Sequence, residues 1–182
     1  MSKVAALSPV SYTHLDVYKR QMLGIGLFFV GITLIINGWG SLLHIDYRSL
    51  ALINLFTGSL SFIINLVYML QGAYYEAGTG FLFAFTYLLV GIIYLFDLDL
   101  RIYGIFALFV AINTLPFAWV SWQWEQDPLF ALIWLTWGAL WFCGFLDTIV
   151  KVNFGRKIHY FAIACGIFTT WVPGLLMLLD LY

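Results

Sequence analysis

PLFALIWLTWGALWFCGFLDTI, residues 128–149, is long and apolar enough to be a single membrane-spanning helix. Between Asp127 and Asp147 this stretch carries no charged side chain. About 18 or more apolar residues in a row read as a bilayer-spanning helix, because ~20 residues at ~1.5 Å rise cross a ~30 Å hydrocarbon layer. Trp134, Trp137 and Trp141 are spaced three and four apart, so a helix puts all three on one face.

Five further stretches have the same character: 22–39, 49–70, 79–96, 102–120 and 158–180. The whole chain of 182 residues is 63% hydrophobic, 20% aromatic and only 9% charged. A soluble domain carries about 25% charged residues to cover its surface. The fold class is therefore an all-α integral membrane protein of six transmembrane helices. Short connections make neighbouring spans antiparallel neighbours. A net charge of −1 excludes a basic nucleic-acid surface, so no nucleic-acid partner is expected, whereas membrane lipid is. Cys143 and Cys165 sit singly inside apolar runs, read as small buried hydrophobes, and no His/Cys spacing suits a metal. No metal or other cofactor is expected.

Lys and Arg favour cytoplasmic loops. From Met22 onward the only basic residues are Arg48, Arg101, Lys151, Arg156 and Lys157, all in the first, third and fifth loops. The second and fourth loops carry only Glu76, Glu125 and Asp127. Odd loops are therefore expected in the cytoplasm, with both termini and the even loops outside. Residues 1–21 run against this, since Lys3, Lys19 and Arg20 precede the first span. The polar run from Val10 to Gln21 is unlike the rest of the chain and resembles a translated adapter or cloning remnant. On that reading 1–21 is a non-native leader and 22–182 is the channel domain. A signal peptide is the competing reading, but Asn37-Gly38-Trp39-Gly40 gives no small-residue cleavage site after the apolar run.

The span interiors almost lack ionisable groups; Asp147 and Asp180 lie at span ends. Intramembrane charges mark ion pathways and proton relays. Their absence argues against a pump, an ion channel and a proton-coupled transporter. With no constellation of catalytic spacing, it also argues against an enzyme. The polar residues left are neutral: Asn37, Asn54, Asn65, Thr86, Asn113, Thr136, Thr169 and Thr170. Most of these read as hydrogen-bonding glue between helices, and Pro116 and Pro173 as kinks. Trp39, Trp119, Trp122 and Trp124 lie at span ends and read as an interfacial belt. Trp134, Trp137, Trp141 and Trp171 lie well inside. Phe83 and Tyr87, four apart, share a face of the third span. These inner rings form either a packed aromatic core or a lipid-facing surface, or a dry slot for flat neutral solutes such as urea and short amides. In such a slot the Tyr87 hydroxyl serves as a hydrogen-bond partner, and Leu140 helps to set the width. An ion there would lose its hydration shell without replacement.

Four runs, together with the first span from Met22 to Gly38, resemble the AmiS/UreI family of urea and amide channels over residues 22–182. They are GFLFAFTYL at 80–88, LFVAINTLP at 108–116, IWLTWGALW at 133–141 and GIFTTWVP at 166–173. The resemblance implies a six-helix protomer with its own pore, assembled into a homo-oligomeric, hexameric ring around a lipid plug in the bacterial inner membrane. It implies outward-facing termini and service to a cytoplasmic urease or amidase. By position the pore lining would be Leu27, Val30, Leu34 and Asn37 on the first span, and Phe83 and Tyr87 on the third. On the fifth it would be Trp134, Trp137, Leu140 and Trp141. Where the best-known acid-gated member carries a glutamate just before the sixth-helix glycine, this chain has Cys165, so the resemblance implies no carboxylate role there.

Acid-gated members also carry histidines in a long second loop, able to titrate near a pKa of about 6.5. Here that loop, read as 71–78, has none, and His44 and His159 fall on the cytoplasmic side. The expected function is an ungated passive channel for urea or short amides, with an amide transporter serving an amidase, or a non-transporting scaffold, as alternatives. Urea permeability of proteoliposomes should accordingly differ little between pH 7 and pH 5, and a several-fold rise on acidification would contradict the absence of a gate.

Overall fold

The computed structural model describes residues 9–182, with side chains from residue 17. Among the described residues seven α-helices build six spans: α1 Pro9–Leu42, α2 Tyr47–Leu70, α3 Tyr74–Phe96, α4 Arg101–Gln123, α5 Pro128–Phe145, α6 Lys157–Cys165 and α7 Val172–Leu178. A π-helical turn, Leu146–Val150, extends α5, and a second, Gly166–Trp171, joins α6 to α7 in one span. Among the described residues six helices are long and apolar enough to cross a membrane. The expected spans are all present, although the boundaries differ.

α3 starts at Tyr74, five residues before the expected 79, so the second connection is only 71–73. Glu76 in its first turn faces the positive end of the helix dipole and favours this start. The reversal is made at Gly72, whose φ of 79° suits a residue without Cβ. α1 is not broken at Met22 but runs from Pro9, so its described part includes the latter half of the segment set apart in the sequence. Residues 1–8 of that segment lie outside the described residues. Local signals explain the other ends. Asp127 caps α5 by accepting the Phe130 N–H at 2.8 Å, with Pro128 in the first turn, and Asp97 ends α3 in a left-handed conformation. Pro173 has no N–H for the Thr169 carbonyl four residues back, and the π turn sits at that discontinuity.

The spans close into a ring in which each packs on its chain neighbours and the first packs on the last. α1 meets the sixth span through Gly24, Gly31 and Gly38, spaced seven apart. A methyl group on Gly31 would lie 2.7 Å from the Trp171 backbone nitrogen, and one on Gly38 would lie 2.7 Å from the His159 carbonyl oxygen. Gly166 and Gly174 answer from the other side, against the Gly31 carbonyl and the Phe28 nitrogen. Without a hydrophobic drive between helices in lipid, this close backbone approach is what packing uses.

The outer surface is apolar. Phe56, Ile105, Phe109, Ile112, Leu132 and Phe168 are each more than half exposed. So are Trp39, Trp119, Trp122 and Trp124 at the span ends. Trp171, grouped with the inner tryptophans in the sequence, turns its ring outward and is 41% exposed, because its backbone is pressed against Gly31. The expectation that most neutral polar side chains bridge helices is also corrected. Asn65, Thr86, Asn113, Thr136 and Thr170 bond the carbonyl four residues back in their own helix. Asn37 and Asn54 do bridge α1 and α2, by a reciprocal pair at 3.0 and 2.8 Å, and Thr33 and Thr57 join beside them at 2.7 Å.

Gly31→Ala should therefore lose about 1–3 kcal/mol of thermal stability in detergent through overpacking. Gly78→Ala, where nothing lies within 4 Å of the added methyl, should be neutral or gain less than ~1 kcal/mol. Equal melting shifts for the two variants would contradict the close packing of α1 on the sixth span.

Candidate functional site

The faces turned into the ring leave two cavities, whose linings share Phe83. One, about 300 Å³, opens at the face of the even loops. The other, about 200 Å³, opens at the face of the odd loops. Since 10–15 Å³ of such space already admits a water, each can hold a small solute.

Leu27, Val30, Trp134 and Trp137 line the first cavity, and Leu34, Asn37, Tyr87, Leu140 and Trp141 line the second. Phe83 borders both. The two spaces thus approach each other at one layer, between Val30 and Leu34 on α1 and between Trp137 and Trp141 on α5. The Phe83 ring fills it, 4.8 Å from Trp137 and 5.0 Å from Trp141, both edge-to-face. Trp137 in turn stands edge-to-face to Trp134 at 5.0 Å. Such T-shaped contacts satisfy the ring quadrupoles and hold the rings in fixed planes.

Sequence reading placed nothing from α2 or α4 at the site, yet Ser61 and Asn65 of α2 line the first cavity and Tyr103 of α4 the second. Asn65 was visible as a polar residue in an apolar run, whereas nothing local distinguished Tyr103 from the other tyrosines. Cys165 is buried and lines neither cavity.

The layer has no charge. Acidic and basic side chains lie where each cavity opens: Lys19, Arg20, Glu76, Glu125 and Asp127 at the even-loop mouth, Asp147 and His159 at the odd-loop mouth. At the even-loop mouth Lys19 pairs with Glu76 at 2.8 Å, and Ser121 donates to Glu125 at 2.6 Å. Tyr182 donates its hydroxyl to Asp127 at 2.8 Å. Burial first, then that hydrogen bond, raise the Tyr182 phenol above its usual range, so it stays a donor at any physiological pH.

The polar tips of the inner rings differ in state. The Trp137 Nε1–H donates to the Thr169 hydroxyl at 2.9 Å. The indole N–H groups of Trp134 and Trp141 and the hydroxyl of Tyr87 have no protein partner among the described residues. All three side chains are at least nine-tenths buried, yet none of these atoms is sealed off. Their free tips are therefore open to the cavities that the side chains line, one in the first and two in the second. An indole N–H only donates, whereas a phenol donates and accepts. The arrangement offers hydrogen bonds to a solute with an acceptor oxygen on either side of an uncharged, ring-walled layer.

A family profile described as AmiS/UreI family transporter matches residues 22–181. The chain belongs to the AmiS/UreI family. It is 37% identical to a protein named acid-activated urea channel from Helicobacter pylori, over 87% of this chain and 98% of that one. It is 39% identical to a putative amidate substrates transporter protein from Mycolicibacterium smegmatis, over 85% of this chain and 75% of that one. The crystal structure of the Helicobacter pylori urea channel superposes with a TM-score of 0.83 at 38% identity, covering 87% of this chain and 98% of that one. The six-span ring is thus the architecture of an AmiS/UreI family member, and the chain is a multi-pass membrane protein.

Exchange of the indole protons with solvent, followed by NMR of ¹⁵N-tryptophan-labelled protein, should be slow at Trp137 and faster at Trp134 and Trp141. Equal protection at all three would mean that the free N–H groups do not face the cavities.

Proposed function

We propose that this chain is a passive channel for urea or short amides, and that solutes pass through the protomer across the Phe83 layer. The observation that carries the reading is the free Trp134, Trp141 and Tyr87 tips flanking a charge-free aromatic constriction. A flat neutral amide can slide its face along the rings and offer its carbonyl oxygen to one free donor and then the next. An ion would lose its hydration without replacement. The ten residues Leu27, Val30, Leu34, Asn37, Phe83, Tyr87, Trp134, Trp137, Leu140 and Trp141 form the lining of that path. The work is transport, with no catalytic step.

The relatives named for urea and for amidate substrates support the solute class and leave two duties within it, urea for a urease or short amides for an amidase. The channel unit runs from Met22 to Tyr182, and six copies form a ring through their apolar outer faces. The membrane is the bacterial inner membrane, with the odd-loop face in the cytoplasm. Five basic residues on that face support the orientation, against Lys19 and Arg20 on the other. The pore is not acid-gated. The second connection, 71–73, is too short for a sensing loop and carries no histidine, and His44 and His159 both lie at the odd-loop face.

Stopped-flow permeability of proteoliposomes tests this with Trp134→Phe and Trp141→Phe, which keep a ring and remove the donor. Urea flux should fall about three- to tenfold in each, the loss of roughly one hydrogen bond. No urea or acetamide flux above empty liposomes for the parent protein would end the channel reading. Unchanged flux in both variants would leave these tryptophans as packing.

A further inference from the structure

We propose that Thr169 is a positioning residue for the constriction: its hydroxyl accepts the Trp137 indole N–H and so holds that ring edge-on to Phe83, setting the width of the slot. The inference rests on the channel reading and extends it to a residue that lines neither cavity. Trp137 is the most enclosed of the inner tryptophans, at 2% exposure, and it stands edge-on to Phe83, Trp134 and Phe130 with interplanar angles of 82°, 86° and 85°. Three perpendicular neighbours limit how far the ring can tilt. They do not choose which edge faces which way, and the hydrogen bond does. With its N–H committed at 2.9 Å to Thr169, Trp137 has no donor left for a solute and presents a plain wall.

Thr169 is itself oriented. Its hydroxyl donates to the Cys165 carbonyl at 2.6 Å and accepts from Trp137, so both of its roles are used. A β-branched side chain adds stiffness at χ1. The residue lies in the π turn Gly166–Trp171, whose start at Gly166 is packed against the Gly31 carbonyl of α1. Single π-helical turns inside α-helices recur at functional sites. Here the turn connects the α1 contact to the ring that walls the constriction. Cys165 takes part through its backbone oxygen alone, which a cysteine supplies as well as any residue.

The test compares Thr169→Ser, Thr169→Ala and Thr169→Val in proteoliposomes. The readouts are the ratio of urea to propionamide permeability and the exchange protection of the Trp137 indole proton. Serine and alanine differ by the hydroxyl alone, so this pair decides the matter even where the valine variant fails to assemble. The alanine variant should expose the indole proton and move the ratio about five- to tenfold toward the wider solute, and serine should restore both. Alanine and serine variants with the same ratio, alongside a parent that passes urea, would overturn the role of Thr169 and leave the channel reading intact. A parent that passes neither solute would overturn both.

Discussion

Everything in this protein depends on how closely α1 can approach the sixth span. In hydrocarbon there is no water to expel between helices, so association rests on contact and on hydrogen bonds. Gly24, Gly31 and Gly38 remove the side chains from one stripe of α1 and let its backbone lie on that of α6 and α7. This contact closes six antiparallel spans into a ring. Closure turns Leu27, Val30 and Leu34 inward to meet Phe83 and the tryptophans of α5. A bulkier stripe would push α1 out and open the wall of the path.

The same contact reaches the chemistry. Gly31 packs against the π turn, and the π turn carries the threonine that engages Trp137. The ring nearest Phe83 is thereby held by a hydrogen bond, while the N–H groups of its neighbours Trp134 and Trp141 stay without a protein partner among the described residues. Division of labour among chemically identical side chains follows from what each indole nitrogen meets. The bilayer permits such a site only because the polar groups left free look into a cavity and not into lipid.

Much of this was legible in the sequence. Period and length gave the spans, since nothing but a membrane helix explains residues 128–146 without a charge. The 3-4 spacing of Trp134, Trp137 and Trp141 put them on one face, and the family resemblance offered ten candidate residues, each of which borders at least one of the two cavities. What could not be read was partnership. Asn54 finds Asn37 and Trp137 finds Thr169, but Asn113 and Thr136 turn back on their own helices. All are polar residues in apolar runs, and only the packing of helices far apart in sequence separates them. Trp171 faces outward for the same kind of reason, its backbone being pinned at Gly31. Tyr103 of α4 carried no local signal because its place on the cavity wall is set by the ring as a whole.

On the channel reading, the constriction selects a flat solute by its neutral, acceptor-bearing chemistry and not by its outline. Urea and guanidinium separate these, having nearly the same planar shape but differing in a carbonyl oxygen and a positive charge. Their fluxes into proteoliposomes containing the chain from Met22 are the measurement to make. Fast urea entry with guanidinium no faster than into empty vesicles is the expected result. Comparable entry of both would mean that size alone governs passage, with no selection by charge or hydrogen bonding.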